Sequence, residues 1–137
     1  MGQQQVKIGV IGAGHLGRYH IECISRIEGF SLIGFYDIDK ARAGEISTKY
    51  NLTSFESPEA LMESVEALCI VTPTVAHFDM AVTAIEAGKH LFIEKPLTSD
   101  PLTSRKLADL IAAKGVVGRV GHVERYNPAF IAAQKMG

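Results

Sequence analysis

The run Val6-Lys7-Ile8-Gly9-Val10-Ile11-Gly12-Ala13-Gly14-His15-Leu16-Gly17 decides the fold. Val6–Ile11 is rich in β-branched residues and predicts a buried strand. Gly12, Gly14 and Gly17 match G-x-G-x-x-G where that strand gives way to a helix. Gly12 lets the chain turn sharply. Gly14 lets a diphosphate approach bare backbone, and Gly17 lets the helix sit close against the strand. The helix start then offers unpaired N–H groups and a positive dipole end to an anion.

Leu16, Tyr19, His20, Cys23, Ile24 and Ile27 recur at helical spacing and predict the apolar face of this first helix. A second strand is predicted over Phe30–Tyr36, ending at Asp37. That carboxylate follows Gly17 by about twenty residues, the distance at which an acidic side chain meets an adenosine ribose. Glycine-rich turns are common, so the strand, helix and acid around this one carry the inference. Without them the same residues describe an ordinary βαβ unit with a surface Asp.

Further along, strand and helix signals alternate. A helix is predicted over 39–50 with Ala41, Ala43, Ile46 and Tyr50 as its apolar positions, and Leu52 and Phe55 mark a short edge strand. Ser57 and Pro58 open another helix as cap and first residue. The apolar run 67–71 predicts a strand buried on both faces. Thr74 stands where a helix cap belongs, before a stripe of Val75, Phe78, Val82 and Ile85, with Ala81 and Ala84 beside it and Gly88 as left-handed stop. A strand over 89–94 follows. Asp100-Pro101 then opens a helix with Leu107, Leu110 and Ile111 inward and Gly115 at its end. A strand over 116–123 and a helix begun by Asn127-Pro128 close the chain. This alternation predicts an α/β fold: a doubly wound parallel sheet of the Rossmann type in a single domain, strand order 3-2-1-4-5-6, with its ligand at the carboxyl ends of the strands.

The bulk properties agree. The 137 residues suit one domain, with 47% hydrophobic, 21% charged and a net charge of −1. No basic block exists to neutralise a nucleic acid, and no apolar run approaches the ~18 residues of a membrane span. Cys23 and Cys69 sit in helix and strand patterns and suit buried free thiols in a reducing cytoplasm. No His, Cys or Asp spacing suggests a metal site.

Polar residues that break the apolar pattern collect at strand ends: Asp37, Thr72, Glu94, Lys95, and the group His122, Glu124, Arg125 and Tyr126. Turns are polar anyway, which accounts for part of this. Glu94-Lys95 is accounted for poorly, since two charges between a buried strand and a proline carry a desolvation cost.

Thr72-Pro73-Thr74-x-x-His77, Glu86-Ala87-Gly88-Lys89-His90 and Glu94-Lys95-Pro96-Leu97 together resemble the glucose-fructose oxidoreductase / inositol dehydrogenase family of NAD(P)-dependent sugar dehydrogenases. The resemblance spans residues 6–131. It implies that Gly12, Ala13, Gly14, His15, Leu16 and Gly17 surround the diphosphate and that Asp37 and Ile38 hold the adenosine ribose. It further implies that Thr72, Pro73, Thr74 and His77 border the path to the nicotinamide. Glu94 would contact the nicotinamide ribose, Arg125 would lie near that end, and Lys95 would be the catalytic residue, stabilising the alkoxide or relaying its proton. The stretch 120–128 resembles the branch linked to nucleotide-sugar oxidation, such as UDP-N-acetylglucosamine 3-dehydrogenases. Members carry a second α/β domain that supplies the sugar pocket and oligomer interface. The expected division is therefore a frayed start at 1–5, a nucleotide-binding domain at 6–126, and at 127–137 the beginning of a connection to a second domain absent here. The full-length form would be a homo-oligomer.

Asp37 favours NAD, since a carboxylate accepts from a ribose 2′-OH and repels a 2′-phosphate; Lys40 and Arg42 leave NADP open. Two functions stand against each other. One is the cofactor-binding part of a cytoplasmic oxidoreductase acting on a sugar or nucleotide sugar. The other is a non-catalytic dinucleotide-binding module, a sensor or partner subunit. An S-adenosylmethionine site is disfavoured by the complete glycine fingerprint and the Glu-Lys-Pro tip.

Overall fold

A computed structural model describes residues 4–73, 76–94 and 100–121. Its elements in chain order are β1 (Val6–Ile11), α1 (His15–Ile24), β2 (Phe30–Tyr36), α2 (Lys40–Tyr50), β3 (Thr53–Ser54), α3 (Pro58–Glu63), β4 (Ala67–Ile70), α4 (His77–Glu86), β5 (His90–Glu94), α5 (Pro101–Lys114) and β6 (Gly118–Gly121). Among the described residues the strands form one six-stranded sheet in the order β3-β2-β1-β4-β5-β6, every neighbouring pair parallel. The order expected from the alternation is the one observed.

Parallel strands covered on both faces need side chains that are apolar in both directions. β1 and β4 supply them, and successive residues feed two cores. Ile8, Val10, Phe35 and Cys69 meet Ile21 and Ile24 of α1 and Ala43 and Ile46 of α2. Ile11, Leu68, Ile70 and Ile93 meet Leu61 of α3, Ile85 of α4 and Leu107 of α5 on the other face. Truncating a fully buried side chain such as Phe35 or Leu61 to Ala would cost ~2–5 kcal/mol.

Helix starts follow the expected chemistry. Ser57 accepts from the Ala60 N–H and Asp100 from the Thr103 N–H, each followed by proline at the first helical position. Gly88 and Gly115 take positive φ after α4 and α5.

Four details differ. On α1 the buried residues are Gly17, Ile21 and Ile24, while Leu16, Tyr19 and Ile27 are exposed. The helix is rotated by the need to seat Gly17 against the glycine turn, and it ends before Ile27. Second, the edge strand consists of Thr53 and Ser54 rather than Leu52 and Phe55; Phe55 instead packs against the core. Third, α4 starts after Ala76, which makes no side-chain cap, with His77, Ala81, Ala84 and Ile85 buried and Phe78 and Val82 only partly so. Thr74 and Val75 lie outside the described residues. Fourth, β6 begins at Gly118. Residues 122–137, including the expected last helix, also lie outside.

Candidate dinucleotide cleft

Because every strand runs the same way, β1, β2, β4 and β5 deliver Gly12, Asp37, Thr72 and Glu94 to one rim. The order reverses between β1 and β4, and helices there leave toward opposite faces, which opens a crevice. A cleft of about 650 Å³ lies at that point, its wall including Gly12, Gly14, Asp37, Ile38, Arg42, Thr72 and Pro73. Gly12 turns the chain with φ +97°, and its N–H donates to the Tyr36 carbonyl at 2.8 Å. A Cβ on Gly14 would meet nothing within 4 Å among the described residues, so among them the backbone is open to a ligand. Gly14 is also the N-cap of α1, and among the described residues no side-chain cap bond is made there. Its first N–H groups are therefore available to an anion.

Asp37 closes the β2 side. It is 8% exposed; Oδ2 accepts from the Ala13 N–H and Oδ1 from the Asp39 N–H, both at 2.8 Å. The guanidinium of Arg42 lies 3.5 Å from Oδ2. A carboxylate has about four acceptor positions, so capacity remains for a ribose hydroxyl. Ala13, expected along the diphosphate, is wholly buried with its N–H committed to Asp37, and it braces the carboxylate instead of lining the cleft. Ile38 is 85% exposed at the cleft mouth. Of the two nearby cations, Arg42 reaches Asp37, whereas Lys40 pairs with Glu56 at 3.6 Å on the surface.

On the β4 side the Thr72 hydroxyl is buried and has no hydrogen-bond partner among the described residues. Such a group costs free energy unless something supplies a bond. His77, expected beside the cofactor, is 1% exposed, with Nε2 2.8 Å from the Thr72 carbonyl oxygen. It supports the turn from below. Gly17 likewise sits under the glycine turn, and His15 and Leu16 are exposed at the start of α1. Thr74, Lys95 and Arg125, with His122, Glu124 and Tyr126, lie outside the described residues.

Glu94, at the tip of β5, is 4% exposed and pairs with His20 of α1, Nε2 to Oε2 2.8 Å. His20 is the polar residue that the helical pattern did not place here, whereas Arg42 stands beside Asp37 as its nearness in sequence suggested. His20 counted as one member of an apolar stripe, although an imidazole on a buried face was itself a signal.

An open glycine, a helix start, a braced carboxylate and a hydroxyl with no partner among the described residues thus stand around one cleft. Comparison with known proteins bears on the same point. A family model described as an oxidoreductase family with NAD-binding Rossmann fold matches residues 6–122. The chain is 37% identical to the UDP-N-acetylglucosamine 3-dehydrogenase of Acidithiobacillus ferrooxidans over 132 residues, covering 96% of this chain and 42% of that protein. It is 34% identical to the scyllo-inositol 2-dehydrogenase (NAD(+)) of Bacillus subtilis, covering 97% of this chain and 40% of that one. It superposes on a solved structure of the Acidithiobacillus enzyme with a TM-score of 0.91 at 36% identity, over 98% of this chain and 44% of that chain. The chain thus spans about two-fifths of the length of these relatives. Among the described residues no helix is long and apolar enough to cross a membrane.

Proposed function

The chain belongs to the oxidoreductase family with the NAD-binding Rossmann fold, and from that premise we propose that it is the cofactor-holding part of a dehydrogenase that oxidises a secondary hydroxyl of a nucleotide sugar, with a free sugar or polyol as the second substrate class. The observation that carries this is the Asp37 carboxylate, braced by the Ala13 N–H in the wall of the cleft that Gly14 leaves open. NAD, when bound, supplies the hydride acceptor.

The chain's own residues do the rest. Gly14 and the first turn of α1 would hold the diphosphate. Asp37 would accept from the adenosine ribose, and Ile38 would cover the apolar face beside it. Thr72 would give its hydroxyl to the nicotinamide half, and Glu94 would take a hydroxyl of the second ribose. Lys95 would stabilise the alkoxide of the reacting sugar and take part in moving its proton. We assign 6–126 to the nucleotide-binding domain and 127–137 to the connection leading on from it. A nucleotide sugar is preferred because the Acidithiobacillus relative carries that name at 37% identity.

NADH fluorescence titration tests the site. The chain should bind, and Asp37→Ala should weaken binding about tenfold or more, the worth of a hydrogen bond to a charged group. Absence of binding overturns the proposal. Sugar oxidation is checked by NAD reduction with UDP-N-acetylglucosamine against scyllo-inositol, in the chain together with any sequence continuous with Gly137. Turnover should depend on Lys95. Binding with no turnover on either compound would favour the non-catalytic module.

A further inference from the structure

A buried acid–imidazole pair ties α1 to the tip of β5. Glu94 Oε2 lies 2.8 Å from His20 Nε2, and the two side chains are 6% and 13% exposed. The His20 ring leans on Phe92 of β5, centroids 5.5 Å apart, and meets Tyr19 edge-on at 5.7 Å. Phe92 and Glu94 alternate onto the same face of the strand. Cys69 of the adjoining strand shares that face: burial pushes its thiol above the ordinary value, and the charge of Glu94 pushes it further. Among the described residues Glu94 is therefore set beside groups that offer its carboxylate little beyond the one bond from His20.

Packing alone does not explain such a pair. A carboxylate kept from water costs free energy that a single hydrogen bond does not return, and two apolar side chains would join α1 to β5 at least as well. The second oxygen is the informative one. Among the described residues Oε1 makes no hydrogen bond. Glu94 itself ends β5, on the rim that also receives Gly12, Asp37 and Thr72.

We propose that His20 is a positioning residue: its Nε2–H fixes one oxygen of Glu94 so that the other is presented to a hydroxyl of the ribose at the nicotinamide end. This rests on the dinucleotide site proposed above. It makes α1 a single rigid part with two tasks. The helix start faces the diphosphate, and His20, in the following turn, sets the angle of the group that meets the far ribose. The distance between the two contacts is then fixed by one helix instead of by two independent loops.

Two ligands separate this from a purely structural role. ADP contains the adenosine and the diphosphate; NADH adds the nicotinamide riboside. Each is titrated calorimetrically into the chain and its variants. His20→Phe should weaken NADH about tenfold while leaving ADP within about twofold. His20→Gln, whose amide N–H falls near the place of Nε2, should keep NADH within about threefold. Glu94→Gln should weaken NADH as His20→Phe does, and the double variant should be no worse than either alone, as expected for two residues acting through one contact. Equal losses of ADP and NADH in His20→Phe, an unchanged NADH affinity, or failure of His20→Gln to rescue would each overturn the positioning role while the dinucleotide site stands. Should His20→Phe fail to fold, Glu94→Gln against ADP and NADH carries the same comparison. A wild-type chain that binds neither ligand removes the site itself, and the positioning role with it.

Discussion

A Cβ on Gly17 would stand 1.9 Å from the Gly12 carbonyl oxygen, and the obstacle is backbone. Gly17→Ala must therefore lift α1 off the turn, an overpacking that costs ~1–3 kcal/mol or more. The melting temperature followed by circular dichroism should fall by several degrees, and NADH binding should weaken with it. Gly44, inside α2 with nothing near its Cβ position, is the matched control: Gly44→Ala should hold or raise the melting temperature, since Ala is favoured in a helix by up to ~1 kcal/mol. The two cysteines make a second contrast. Cys69 is 2% exposed with its thiol pushed up by burial, while Cys23 is only half-buried. A thiol reagent at neutral pH should label Cys23 well before Cys69; equal rates would contradict the burial of β4. At this scale the glycines and Asp37 were legible because their chemistry is written into neighbouring residues. His20 was not. Its partner lies 74 positions away, and helical periodicity does not distinguish an imidazole from an apolar side chain.

Helix caps behave as the sequence rules say. Ser57→Ala should cost ~1 kcal/mol of stability in urea melts, because the Ala60 N–H loses its acceptor. The cap of α5 adds a pH signature. The Asp100 carboxyl is held below its ordinary value of 3.8, first by the Thr103 hydroxyl and then by the Thr103 N–H. A group whose folded value is depressed contributes stability above its unfolded pKa and loses it as pH falls through the lower folded value. Asp100→Asn keeps a capping oxygen and removes the titration. Its melting temperature should fall below wild type above pH 3.8, and the gap should close as the pH is taken further down; a gap constant with pH would refute the linkage. Elements were legible wherever a cap or a left-handed glycine marked an end. The face of α1 was not, because the apolar count favoured Leu16, Tyr19 and Ile27 while the contact between Gly17 and Gly12 turned another side inward.

At the scale of the molecule, strand order followed from alternation, since short connections of one hand leave few ways to lay out βα units. The location of the cleft followed from the order, because the crevice opens where the sheet changes direction. What alternation does not contain is how the groups on the rim are linked. Ligand binding should be felt by the whole fold: NADH at a hundred times its Kd should add ~2.7 kcal/mol and raise the melting temperature, and a melt that does not move would contradict the site. The bond between Asp37 and the Ala13 N–H has a consequence for anyone redesigning this sheet. The side chain proposed to meet the adenosine ribose is also a strut for the first crossover. Exchanging it for a residue tolerant of an added phosphate would orphan a buried donor at ~1–3 kcal/mol. A successful switch of preference would first have to give that donor a new acceptor, a neutral oxygen on a short side chain, before Arg42 could be redirected outward.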